Sequence, residues 1–172
     1  MTDAAAALDD GDRALCAAVA AWLDAHAALA AWGLALSVTA VVALIGFALP
    51  GIAVAAALLG VAGLGLAERV LALRLRFDAG LFSALAGGTL PSLAALDSTL
   101  ARMALRPAAA GPRALPDRVR GTLRLLRAHR AAVVLQTVLA LSAAAWVAYA
   151  DGGPDADSYP MTRGALTQWI PA

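Results

Sequence analysis

Residues 27–67 carry no charged side chain, a run of 41 residues broken only by Pro50-Gly51. Nothing else in the chain restricts its fold so tightly. A bilayer core about 30 Å thick is crossed by roughly 20 helical residues, so one straight helix of this length would overshoot about twofold. The run therefore has to fold back. Proline removes a backbone donor and pushes Leu49 away from helix, while Gly51 accepts turn dihedrals. Two membrane helices are expected, about 27–49 and 52–67, with a re-entrant hairpin as the alternative. The second is short for a span and is expected to bring Glu68 and Arg69 close to the headgroups. A third charge-free stretch, 131–150, lies between Arg130 and Asp151. Trp146 and Tyr149 mark its far end, where aromatic rings favour the interface.

Composition agrees with this reading. The chain is 62% hydrophobic with a mean hydropathy of +0.77. Soluble domains run near 45–50% apolar, so an ordinary soluble globule is excluded. With 15% charged residues, a self-repelling disordered chain is excluded as well. All 13 basic residues are arginine and asparagine is absent, a bias that fits a GC-rich bacterial genome. The single cysteine, Cys16, has no partner for a disulfide or a thiolate metal cluster. The first 12 residues hold four Asp and no base, the reverse of a secretory signal.

The net charge of +1 hides a partition of −4 over 1–26, +7 over 68–130 and −2 over 151–172. Eleven arginines fall in 68–130, against Arg163 alone beyond the third span. Basic residues near span ends stay cytoplasmic, which places the N-terminus and 68–130 inside and the C-terminus outside. The expected fold is all-α: a polytopic helical membrane protein with three transmembrane helices and cytoplasmic helical extensions forming a small bundle. Its divisions are an amphipathic helix within 1–26, a membrane hairpin over 27–67, an Arg-rich helical segment over 68–130, a third span over 131–150 and a linker-like tail over 151–172.

Within the Arg-rich segment, residues 68–88 read as a continuation of the second span that Gly87-Gly88 stops. Pro91 suits the first turn of a helix reaching about Leu105. Asp117 suits the start of another helix, from about Arg118, that runs unbroken into the third span. In the N-terminal helix Asp12 is the expected cap, with Leu15, Val19, Trp22, Leu23 and His26 on one side. Expected core residues are Leu71, Phe77, Leu81, Leu96, Leu100, Leu123 and Leu126.

No phosphate-loop, nucleophile-elbow, zinc-protease or C-x-x-C motif occurs. His26 and His129 read as interfacial histidines, and no span holds a charge that would mark an ion path. No cofactor, metal or nucleic-acid partner is expected, and an enzyme is disfavoured. Arg120, Arg124, Arg127 and Arg130 precede the third span and suit anionic lipid headgroups or a protein partner, at roughly 1 kcal/mol per base. Gly60 and Gly65, and Ala140 and Ala144, lie on small-residue rows that allow close helix packing, and Gln136 suits an interhelical hydrogen bond. The functional expectation is a non-catalytic accessory or scaffolding subunit of a bacterial inner-membrane assembly, partnered by the bilayer and by another membrane protein or further copies of itself. The alternatives are a small homo-oligomeric transporter or channel, and an enzyme acting on lipid-linked substrates.

Overall fold

The computed structural model describes residues 8–46, 51–105 and 113–151, and all of its regular structure is helical, with no strand among the described residues. The helices are α1 (Asp10–Ala25), α2 (Ala27–Gly46), α3 (Ile52–Ala86), α4 (Leu93–Arg102) and α5 (Leu115–Asp151). Three stretches are long and apolar enough to cross a membrane: Asp10–Gly46, which joins α1 and α2, Ile52–Ala86 and Leu115–Tyr149. The C-terminal tail beyond Asp151, with Arg163, lies outside the described residues, as does Pro50.

The helix ends follow local chemistry. Asp9, not Asp12, caps α1: its Oδ1 accepts the Asp12 amide at 2.7 Å. Asp12 instead sits in the first turn, where a carboxylate still faces unpaired amides. His26 alone separates α1 from α2, and its Nδ1 donates to the Trp22 carbonyl at 2.6 Å. Gly51 precedes α3 with φ +149°, a backbone that a Cβ would strain. Gly88 ends α3 at φ +74° while the Leu90 amide reaches back to the Ala84 carbonyl at 3.1 Å. Helix α4 is shorter than its expected 91–105 because Ser92, in extended backbone, caps it by accepting the Ala95 amide at 3.1 Å. Pro91 thus precedes the cap. Helix α5 begins three residues ahead of Arg118, with Pro116 in its first turn, where the missing amide proton costs nothing.

The 35-residue α3 and the 37-residue α5 organise the molecule. Buried positions on α3 are Val54, Val61, Gly65, Glu68, Leu75, Ala79, Phe82 and Leu85; on α5 they are Leu115, Thr122, Leu126, His129, Val133, Gln136 and Ala143. Both series step by three, four or seven residues, the spacing that keeps one seam facing a partner helix. The pairs Glu68–His129 and Asp78–Thr122 fix the two helices as antiparallel.

The seam has two chemically distinct halves. Toward the arginine-bearing end, α1, α3, α4 and α5 share an apolar core that includes Cys16, Leu23, Leu75, Phe82, Leu85, Leu96 and Leu126. Toward the other end α2, α3 and α5 pack through small and polar residues, while large aliphatic side chains face outward, with Ile45 83% and Ile52 89% exposed.

Two sequence expectations need correction. Of the expected core, Leu96 and Leu126 are buried and Leu81, Leu100 and Leu123 pack half-buried against the cluster, but Phe77 is 41% exposed and Leu71 only half-buried. The seam through Leu75, Ala79 and Phe82 leaves those two on its flanks. On α1 the inward face is Cys16, Val19, Ala20, Leu23 and His26, whereas Leu15 and Trp22 are exposed. Small Cys16 and Ala20 let α1 lie close against α3. Among the described residues, no ion pair joins the acidic groups of α1 to the arginines; apolar side chains dock it.

Candidate functional site

The polar part of the seam is built from three helices. Glu68 of α3 is fully buried, as is Gln136 of α5, and His129 of α5 is 1% exposed. A buried carboxylate is tolerated only when its oxygens are hydrogen-bonded and its charge is matched. Both conditions hold. Arg69 donates to Glu68 Oε2 through Nε at 2.8 Å and Nη2 at 2.5 Å. His129 Nε2 donates to Oε1 at 2.7 Å. Arg69 Nη2 also reaches the Ala30 carbonyl, so the guanidinium ties α2 to α3.

Seven residues beyond His129, roughly 10 Å along the axis, Gln136 repeats the crosslink. Its Nε2 lies 2.8 Å from Ser37 Oγ, 3.0 Å from the Gly33 carbonyl and 3.3 Å from the Val61 carbonyl. One amide thus joins α2, α3 and α5. Ser37 in turn donates to the Gly33 carbonyl at 2.9 Å.

Two glycines make room for this arrangement. A Cβ on Gly33 would lie 3.0 Å from the Glu68 carboxyl and 3.3 Å from Gln136 Oε1. A Cβ on Gly65 would lie 1.8 Å from Ser37 Oγ and 2.9 Å from Ser37 Cβ. The backbones of α2 and α3 can approach this closely only where the side chain is absent.

A second polar group closes the arginine-bearing edge. Arg130 donates from Nε to His26 Nε2 at 3.1 Å and lies 5.8 Å from the Trp22 ring centroid, a cation–π distance. Trp22 and His26 meet edge-on at 5.5 Å. Farther into the apolar core, Thr122 donates to Asp78 at 2.9 Å, and Arg118 pairs with Asp97. Burial pushes the Asp78 carboxyl above its ordinary range and outweighs the Thr122 hydrogen bond and the Arg74 charge, which act the other way. Burial, and then nearby Asp12, raises the Cys16 thiol, which disfavours the reactive thiolate.

The residues singled out in the sequence have different surroundings. Arg120 is exposed and pairs with Asp117 at 2.9 Å, whereas Arg124 and Arg127 are exposed with no ion pair among the described residues. Arg130 is engaged by His26 and Trp22. Gly65 and Gln136 lie in the polar seam. A Cβ on Gly60 would make ordinary contact with Leu139 at 3.5 Å, Ala140 is half-buried, and Ala144 is exposed.

The cluster of Glu68, His129, Gly33 and Ser37 is not evident from local sequence. Glu68 is buried between the helices, where Arg69 and His129 together compensate the cost. The available signal is phase: Gly65, Glu68, Leu75 and Phe82 share one three-and-four stepping, and His129 and Gln136 share the other. Among the described residues no group of three or more His, Cys, Asp or Glu side chains is arranged to hold a metal ion.

Compared with protein-family models, curated proteins and solved structures, the chain matches none significantly.

Proposed function

We propose that this is an integral protein of the bacterial inner membrane, with α2, the first half of α3 and the second half of α5 as its spans, and that it serves as an accessory or scaffolding subunit of a larger assembly. The observation that carries the reading is the inverted distribution of polarity. Ile45, Ile52, Leu59, Leu66, Val134 and Leu141 face outward, while Glu68, Gln136 and Ser37 turn inward. Such a surface is stable against lipid and unstable against water. The arginine-rich half of α3 and α5 then lies on the cytoplasmic side with α1 and α4, and the C-terminus lies outside.

A helical partner is supported by a shallow groove of about 140 Å³ at the far end of α3 and α5, lined by Ala53, Val54, Ala57, Ser142, Ala143 and Trp146. Ala144 and Ala148 face outward beside it. Exposed Arg124 and Arg127, with Arg120, suit anionic lipid headgroups at the cytoplasmic surface. Co-purification in mild detergent tests the reading: a defined membrane partner is expected, and a monodisperse monomer without one counts against it. A second reading, a small homo-oligomeric transporter or channel, is favoured by the polar groups inside the three-helix core. Flux in proteoliposomes that is lost on Gln136→Leu would support it, and absence of flux would remove it.

A further inference from the structure

The polar seam holds two buried atoms without a hydrogen-bond partner among the described residues: His129 Nδ1 and Gln136 Oε1. Buried polar atoms are almost always paired, so each such exception asks for a chemical reason. For His129 the hydrogen bonds supply one. Both oxygens of Glu68 act as acceptors, Oε2 from Arg69 and Oε1 from His129. A carboxylate acceptor therefore places a proton on Nε2, while Nδ1 is left without a hydrogen-bond partner among the described residues inside the helix core. Charged and titratable groups around the ring are Glu68 and Arg69 on α3 and Arg130 on α5, the last turned toward His26 at the α1–α2 joint. Helix α2 faces the cluster with Gly33, Ser37 and the Ala30 carbonyl, none of them titratable. Arg69, one-third exposed, connects the cluster to the surface.

We propose that Glu68 and His129 form a proton-binding site, in which His129 Nδ1 takes up one proton from water and the Glu68 carboxylate holds the imidazolium. The step forms one N–H bond at Nδ1 and breaks one O–H bond of hydronium, with no other bond changed. The new positive charge lies one hydrogen bond, 2.7 Å, from a carboxylate that the fold already keeps in place. Gln136 Oε1, farther along the same face of α5, is the second acceptor of the seam. The site is independent of the scaffolding role, since proton uptake is a property of the isolated chain and partner binding is not.

The test is nitrogen-15 NMR of the full chain, labelled in its imidazoles and placed in lipid nanodiscs. The chain has two histidines, so His26→Gln assigns the signals. His129 is expected to show the Nε2–H tautomer in base and to convert reversibly to imidazolium on acidification, with helical circular dichroism retained. Glu68→Gln keeps an acceptor for Nε2–H but removes the charge, and is expected to weaken proton binding at least about tenfold. Three results would overturn the proposal: a ring that keeps one tautomer throughout, a ring that charges only as helix is lost, or a midpoint that Glu68→Gln leaves in place. The wild-type titration decides the matter even if that variant does not fold.

Discussion

Gly65→Ala should be among the most damaging single-methyl additions to this protein, and Gly63→Ala, two residues away, among the mildest. A Cβ on Gly65 would stand 1.8 Å from Ser37 Oγ, 2.9 Å from Ser37 Cβ and 3.1 Å from Gln136 Nε2. Rotating the Ser37 hydroxyl away relieves only the first contact. It also forfeits the Ser37 donation to the Gly33 carbonyl and the Gln136 donation to Ser37, each on the order of 1 kcal/mol. The Cβ–Cβ contact is fixed by backbone, so α2 and α3 must separate, which costs about 1–3 kcal/mol in an already packed interface. The combined loss is on the order of 3–5 kcal/mol. At Gly63 nothing lies within 4 Å of the added methyl, and alanine gains up to about 1 kcal/mol of helix propensity. Reversible unfolding in mixed micelles, followed by circular dichroism, measures both variants. The double variant Gly65→Ala/Ser37→Gly should recover only the separation term, about 1–3 kcal/mol less the helix penalty of glycine, and Gly65→Ala/Ser37→Ala less of it, because alanine keeps the offending Cβ. Equal stability of the Gly63 and Gly65 variants would refute the close approach of α2 to α3.

Three other perturbations read different parts of the fold. Glu68→Ala removes the acceptor of both Arg69 and His129 and should destabilise by about 3 kcal/mol or more in the same assay, with Glu68→Gln milder. Asp78 has its folded pKa raised by burial, so its contribution to stability is greatest in acid and is lost as pH rises from about 4 through the folded value. Asp78→Asn, which can still accept from Thr122, should therefore melt higher than wild type at neutral pH, with the difference closing in acid. Ala104 ends α4 at φ +55° while the Leu105 amide bonds to the Leu100 carbonyl at 3.0 Å, a conformation that suits glycine. Ala104→Gly should raise stability by about 0.5–1 kcal/mol, seen as a shift in the denaturant midpoint.

Several structural features follow from the sequence alone, and each has a local cause. A charge-free run twice the length of a span has to break, and Gly51 at φ +149° stands at that break. The Gly87-Gly88 stop follows from the need for a left-handed residue, and the unbroken passage of α5 into its apolar half follows from the absence of any proline in the helix after Pro116. The all-helical character and the three stretches long enough to cross a membrane follow from hydropathy and length.

Tertiary structure decided what the polar residues do. Glu68 stands next to Arg69 at the edge of a charge-free run, and by local rules it belongs at an interface. It is buried because His129, 61 residues away, reaches the same carboxylate from α5. Gln136 bonds across to residues 99 and 103 positions distant, and Gly65 matters because Ser37 stands opposite it. Local periodicity specifies the face of a helix, but with 48 alanines several faces are equally small and none is singled out. Only the antiparallel register of α3 against α5 selects one of them, because a buried charge is stable at the single alignment that supplies its partners.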